Sequence, residues 1–181
     1  MKREQIFLEA GALMILALAS LPVRAVAQGA KEERVKPSQF PPAVAQAIKN
    51  NCPRCTIAKA SREVENGVTV YDIEFKAGQG EMDVSEDGSV IDRETVVRPK
   101  DVPPAALTAI RNAAGGGKIK QIAKDEIRAE LKEGKVIKLA TPKYVYEADM
   151  VKGDQAGEVQ VSPEGRVTEG PEWRKRGSKE G

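Results

Sequence analysis

Histidine is absent from the 181-residue chain, which excludes several kinds of active site. Without imidazole there is no Ser-His or Cys-His nucleophile pair, no histidine general base and no histidine metal ligand. The chain also has only two cysteines and an aromatic content of 4%, so few other residues of the types used in catalysis are present. Any chemistry would have to come from carboxylates, lysines or the two thiols, and we predict no cofactor.

The charges nearly balance, with 29 basic and 27 acidic residues and a formal net charge of +2. Nucleic-acid binding usually shows as a clear basic excess, so no nucleic-acid partner is expected. Basic residues do gather near the C-terminus, at Arg174, Lys175, Arg176 and Lys179. Because small and polar residues surround them, we interpret residues 174–181 as a disordered basic tail.

Residues 1–27 have the pattern of a secretory signal peptide. Lys2 and Arg3 precede an apolar stretch over residues 10–21, and small residues at 25–27 offer a cleavage site. That stretch is shorter than the roughly 20 residues of a spanning helix. We predict cleavage and a periplasmic or secreted protein without stable membrane insertion; an uncleaved anchor is the alternative. The polar residues 28–38 are interpreted as a flexible leader.

The remaining chain contains two similar halves. Residues 39–50 return as residues 101–112 with half of their positions identical, and residues 80–90 return as residues 157–167. A duplication favours a small scaffold used for binding over an enzyme with one asymmetric site. We therefore predict a non-enzymatic protein with one repeat at residues 39–98 and a second at 99–173.

Each half predicts a short helix followed by strands. The helix signals are Pro-Pro pairs followed by apolar residues at helical spacing, since proline is well tolerated in a first helical turn. Alternation then predicts strands, for example with Tyr71 and Ile73 on one face and Asp72 and Glu74 on the other, solvated face. The expected fold class is α+β, with two repeats that each pack a helix on a small antiparallel sheet. Gly88 and Gly165 are predicted to be turn glycines.

The second half contains an insertion between Asp125 and Tyr144. Apolar residues alternate on both sides of Glu133 and Gly134, which predicts an extended hairpin projecting from the second sheet. Ile119, Ile122 and Leu131 also fit a helix, so that alternative stays open.

These motifs resemble the PepSY-like family of bacterial envelope proteins, in the tandem form similar in architecture to the β-lactamase-inhibitor protein. The resemblance is carried by the helix starts at 41–43 and 103–105, the tyrosine strands at 70–75 and 145–150, and the turns at 84–88 and 161–165. It implies a location outside the cytoplasm, no enzymatic activity and a role in binding envelope proteins or restraining peptidases. It assigns no binding residue to a position of this chain.

Cys52 and Cys55 form a Cys-x-x-Cys motif, for which several interpretations remain. Neighbouring Arg54 could favour a thiolate, yet the motif follows a helix end, where the partial charge is negative. In an oxidising compartment a local disulfide is the favoured interpretation. Redox activity, metal handling and an intermolecular disulfide are the alternatives.

A calcium loop is a weaker alternative for residues 83–94. Asp83, Ser85, Asp87 and Glu94 have the spacing of calcium ligands, with Gly88 at the glycine position. That motif requires flanking helices, whereas both flanks here alternate like strands. A hairpin turn at Asp87 and Gly88 explains the pattern more simply, so we predict no metal site.

Large aromatic residues supply the candidates for a binding surface: Tyr71, Tyr144, Tyr146 and Trp173. Tyr144 and Tyr146 share a strand face, which is either the core side or the open side of the sheet. The leading hypothesis is a protein-binding module, including a peptidase or other enzyme inhibitor, that acts through its open sheet face on a partner in the envelope or outside the cell. The alternative is a thiol redox or metal-handling protein that uses Cys52 and Cys55.

Overall fold

The computed structural model describes residues 32–76 and 78–176 of the chain. The predicted signal peptide at 1–27, the start of the leader and the end of the basic tail lie outside the described residues. Within the described ranges neither helix is long and apolar enough to cross a membrane.

The described residues form nine strands and two α-helices. The strands are β1 (Glu33–Arg34), β2 (Ile57–Glu65), β3 (Val68–Phe75), β4 (Glu81–Ser85), β5 (Val90–Val96), β6 (Lys118–Lys132), β7 (Lys135–Lys152), β8 (Gln155–Val161) and β9 (Val167–Lys175). The helices are α1 (Pro42–Asn51) and α2 (Pro104–Ala114), and a 3₁₀ turn precedes each of them (Pro37–Gln39 and Pro99–Asp101).

All nine strands belong to one sheet in which sequence neighbours pair antiparallel, in the order β1 to β9. The prediction of two repeats, each a helix on its own small sheet, is therefore wrong. The two halves join because β5 pairs with β6, with Arg93 opposite Glu126. If β5 and β6 did not pair, each would present unpaired backbone N–H and C=O groups at a sheet edge. Their pairing provides hydrogen-bond partners for these groups on both strands.

Both helices cover the same face of this sheet. The strand register shows that this face is continuous from β3 to β6, since residues that pair across neighbouring strands point to the same side. The pairs are Tyr71–Val84, Met82–Arg93 and Arg93–Glu126. Under α1 lies a core cluster of Val44, Ala47, Ala60, Tyr71, Ile73, Phe75, Met82 and Val84. Under α2 lies a second cluster of Val102, Ala106, Ile110, Ala114, Ile122, Tyr146, Ala148, Met150, Val159 and Val161. The opposite face carries no helix among the described residues, and part of it is nevertheless covered, since Val70 and Ser85, which pair on that face, are each 1% exposed.

Two turn glycines dock the turns of the sheet against the helix starts. Gly88 has φ +82° and Gly165 has φ +85°, a backbone region that favours glycine. A Cβ atom at Gly88 would lie 2.8 Å from the backbone oxygen of Ala43, and one at Gly165 would lie 2.7 Å from that of Ala105. Both positions therefore require glycine for space as well as for conformation.

The insertion is a long hairpin formed by β6 and β7, and Ile119, Ile122 and Leu131 all lie in strand β6. The hairpin is longer than the sequence predicts, because β6 already begins at Lys118. Its turn at Glu133 and Gly134 is anchored, since the Gly134 N–H donates to the Asn66 carbonyl oxygen at 2.7 Å. The tip thus rests on the turn between β2 and β3.

Candidate protein-binding face

Carboxylates concentrate on the sheet face opposite the helices. Alternation along each strand turns one residue in two toward that side, and the strand register aligns these residues across the sheet. We call the resulting set the acidic face: Asp72, Glu81, Asp83, Asp92, Glu94, Asp125, Glu147, Asp149 and Glu158.

The register places several like charges directly opposite each other. Asp83 of β4 pairs with Asp72 on one side and with Asp92 on the other. Asp149 of β7 likewise pairs with Glu158 of β8. Cross-strand pairs of like charge destabilise a sheet where no other group compensates them.

A shallow depression of about 220 Å³ lies in the middle of the acidic face. Its walls carry Glu81, Glu94, Glu147 and Asp149, and its lining also includes Gln121 and Ala123. The lining is almost entirely polar, in contrast to the apolar pockets that usually hold small molecules. This polar, acidic lining suits a polar or cationic group better than an apolar ligand.

Burial and, after it, neighbouring negative charges raise the pKa of the most enclosed carboxylates of this face. Burial, followed by the charges of Glu81 and Asp125, raises the pKa of Glu94 to about 7. Burial also raises the pKa of Glu147, and the charge of Glu158 adds to the effect. An amide hydrogen bond from Gln160 to Glu147, at 3.0 Å, acts in the opposite direction.

Glu158 shows the same tendency at the margin of the face. Burial raises its pKa first, and the neighbouring Asp149 raises it further. A hydrogen bond with Glu147 lowers the pKa of Glu158 in part. A cation placed between them would offset this repulsion.

Three cations on this side of the sheet form ion pairs with carboxylates that are not part of the acidic face. Lys59 Nζ lies 3.3 Å from Glu32, and Arg174 Nη2 lies 2.8 Å from Glu172. Lys143 forms an ion pair with Glu130.

The four aromatic candidates lie on the side of the sheet that carries the helices. Tyr71 is 2% exposed and meets Phe40 edge to face, with ring centroids 6.0 Å apart. Tyr146 is 7% exposed, and Trp173 packs partly buried against the same cluster. Tyr144 is 37% exposed, and the Lys124 ammonium lies 4.0 Å from its ring centroid. Tyr144 thus retains accessible surface, while Tyr71 and Tyr146 belong to the core.

The residues of the calcium alternative are split between two strands and a turn. Asp83 and Ser85 belong to β4, Glu94 belongs to β5, and Asp87 lies in the turn between them. The Asp87 carboxylate accepts hydrogen bonds from the Ser85 hydroxyl at 2.5 Å and from the Ser89 N–H at 2.9 Å. These bonds lower the pKa of Asp87 and stabilise the turn. In the described part of the chain, no group of three or more acidic or cysteine side chains is arranged to hold a metal ion.

Cys52 and Cys55 lie at the end of α1, with their sulfur atoms at bonding distance and their Cα atoms 5.3 Å apart. The guanidinium of Arg93 contacts both cysteines, with its Nη2 3.2 Å from Cys52 Sγ and 3.8 Å from Cys55 Sγ. The sequence indicated Arg54, which is exposed beside the pair. Arg93 could not be found from spacing, because it reaches the cysteines only through the pairing of β4 and β5.

Comparisons with known proteins support the fold. No protein-family model matches the chain, and no curated protein matches it. A protein from Bacteroides eggerthii described as periplasmic aligns at 14% identity and a TM-score of 0.51, over 75% of this chain and 88% of that chain. A DUF2874 family protein from Bacteroides uniformis aligns at 13% identity and a TM-score of 0.50, over the same shares. At these identities the similarity shows a shared fold.

A BLIP-like protein from Bacteroides fragilis aligns at 16% identity and a lower TM-score of 0.47, over 76% of this chain and 87% of that chain. The PepSY-like assignment made from the sequence is not confirmed by these comparisons. The description of the first structure as periplasmic agrees with the location predicted from the sequence.

Proposed function

We propose that this chain is a non-enzymatic periplasmic protein that binds a cationic segment of another protein through its acidic face. The observation that carries the proposal is the alignment of carboxylates across β3 to β8, on the side of the sheet opposite both helices. The periplasmic location is supported by the signal-like N-terminus and by the periplasmic description of a protein with the same fold.

The cost of the like-charge pairs supports a binding role. Asp149 lies opposite Glu158, and the charge of Glu158 also acts on Glu147, so like charges on this face reduce the stability of the isolated protein. Lysine or arginine side chains from a partner would convert these repulsions into ion pairs. Complementary charge of this kind also accelerates association and rejects acidic competitors.

The charge of the whole chain does not produce this surface. The formal net charge is +2, so the acidic face results from the way the fold sorts charges and not from an acidic composition. The lack of apolar lining in the central depression further favours a polar interface over a hydrophobic one. Inhibition of a peptidase or another enzyme by such binding stays a prediction.

The test is a titration of the full chain with a lysine-rich peptide, followed by calorimetry. The test variant is the triple substitution Glu81→Gln, Asp149→Asn and Glu158→Gln, which removes three exposed carboxylates from the acidic face. We expect binding to weaken about tenfold, from roughly 0.5 kcal/mol for each exposed ion pair. Raising the salt concentration should weaken the wild-type complex as well, since salt screens exposed charges.

A matched control removes the same number of charges elsewhere. Glu86, Glu133 and Glu164 are exposed and lie in turns at the end of the sheet, so the triple Gln variant at these positions changes the net charge equally. Affinity should be nearly unchanged in this control. Equal losses in both triple variants would show that net charge alone governs binding and would contradict the proposal.

A further inference from the structure

The second feature of interest is the surroundings of Cys52 and Cys55. Arg93 is held in place by its Nη1, which donates to the carbonyl oxygens of Glu94 at 3.0 Å and Glu81 at 3.2 Å. Its guanidinium carbon also lies 5.2 Å from the centre of the Phe75 ring. These contacts direct the other nitrogen, Nη2, to the sulfur atoms.

A positive group fixed beside a sulfur atom stabilises the thiolate over the thiol. The partial negative charge at the end of α1 destabilises a thiolate there. The stability of the thiolate relative to the thiol therefore depends on the charged groups around the two cysteines. Arg93 contacts both sulfur atoms directly. Arg128 adds a second positive charge near the helix end, because its Nη1 donates to Asn51 Oδ1 at 2.5 Å, although Glu126 pairs with its Nε at 2.9 Å.

We propose that Cys52 and Cys55 form a thiol–disulfide exchange site in which Arg93 stabilises the Cys52 thiolate, with thiols of another molecule as co-reactants. The shorter distance from Arg93 to Cys52 than to Cys55 assigns the roles of the two sulfur atoms. Both residues are half-buried and not sealed inside the core.

The first exchange step follows from these roles. A thiolate of the co-reactant attacks Cys55 Sγ and forms a mixed disulfide with it. The bond between the two cysteines breaks, and its electron pair leaves with Cys52 Sγ as a thiolate beside Arg93. Leaving groups of low pKa depart faster, so the arginine favours attack at Cys55.

The second step completes the electron balance. A second thiolate of the co-reactant attacks the co-reactant's own sulfur in the mixed disulfide. The two co-reactant sulfurs become a disulfide, and Cys55 leaves as a thiolate that takes a proton from water. The protein disulfide is thereby reduced by two electrons and two external thiols are oxidised; the reverse sequence oxidises the pair.

The fold tolerates this cycle because the disulfide closes a very short loop, which by the chain-entropy account adds little stability. The pair also lies on the helix side of the sheet, away from the acidic face. The exchange proposal therefore does not rest on the binding proposed above.

The primary experiment needs no variant. The reduced full chain is alkylated with iodoacetamide across a pH series, and the rate at each cysteine is followed by peptide mass. We expect the midpoint for Cys52 to fall at least about one pH unit below the usual thiol value of about 8.5. A midpoint at the ordinary value for both cysteines would overturn the proposal.

Variants then identify the stabilising group. Arg93→Met should raise the Cys52 midpoint and make the disulfide at least about tenfold harder to reduce with glutathione, which corresponds to about 30 mV. Arg93→Lys should restore part of both effects, because it keeps the charge. Arg54→Met is the matched control and should change neither. An equal effect of Arg54→Met, or a disulfide that glutathione does not reduce at any ratio, would contradict the assignment.

Discussion

Replacing Glu94 by glutamine should stabilise the protein at pH 8 and change its stability little at pH 4.5. Glu94 faces Asp125 across β5 and β6 and lines the central depression of the acidic face. Burial and the charges of Glu81 and Asp125 raise its pKa from 4.5 to about 7. Between these two values the folded protein holds a proton that the unfolded chain has lost, so stability falls as the pH rises through this window.

The size of the effect follows from the shift. A shift of this size corresponds to about 3 kcal/mol at 1.36 kcal/mol per unit. Because the side chain is partly exposed, solvent screening reduces this figure, and we expect about 1–2 kcal/mol. Glutamine stays neutral at every pH and avoids that cost, so the difference between variant and wild type should grow from near zero at pH 4.5 to this value at pH 8.

The assay is urea unfolding of wild type, Glu94→Gln and Glu86→Gln at pH 4.5, 6 and 8. Glu86 lies exposed in the turn between β4 and β5, and its substitution should leave the pH dependence unchanged. A Glu94→Gln difference that does not vary with pH would refute the reasoning. A variant less stable than wild type at pH 8 would refute it as well.

Three further predictions concern stability. Replacing Cys52 and Cys55 by serine should lower the free energy of unfolding by about 2 kcal/mol or less, measured by urea unfolding, because the crosslink closes a short loop. In the same assay Gly165→Ala should cost more than Gly153→Ala; both have positive φ, but a Cβ at Gly153 meets no atom within 4 Å, so the difference isolates the contact with Ala105. Ile73→Ala, at a fully buried core position, should cost about 2–5 kcal/mol in thermal or urea unfolding, and a cost below 1 kcal/mol would contradict the packing described.

The local elements follow from the sequence because their signals are local. Helix α2 runs from Pro104 to Ala114, as the proline start and the glycine run after it predict. In β3 the alternation correctly separates Tyr71 and Ile73, which are buried, from Glu74, which is exposed. These signals lie within a few residues of the element they define.

The joining of the two halves could not be predicted in the same way. Alternation in β5 and β6 shows which face each strand buries, but it does not show which strand lies beside it. The repeat pointed to two separate sheets, whereas backbone pairing favours one continuous sheet. Only that pairing reveals that Glu94 and Asp125 are neighbours.

The acidic face was missed for the same reason. The sequence places Asp72 and Glu74 on a solvated strand face, but only Glu74 is exposed, since Asp72 is half-buried and Val70 on the same face is 1% exposed. The distinctive feature arises across strands, where the register brings Asp72, Asp83 and Asp92 into one row. The contact between Arg93 and the cysteines is likewise invisible in the sequence, since it joins distant segments.

The most direct test of the binding proposal is to map where a cationic partner binds. Amide signals of the isotope-labelled full chain would be followed by NMR during titration with a lysine-rich peptide. We expect saturable shifts at β4 to β8 around Glu94 and Glu147, and none of comparable size in α1 or α2. Shifts confined to the helix side, or absent at low salt, would contradict the assignment of the acidic face as the binding surface.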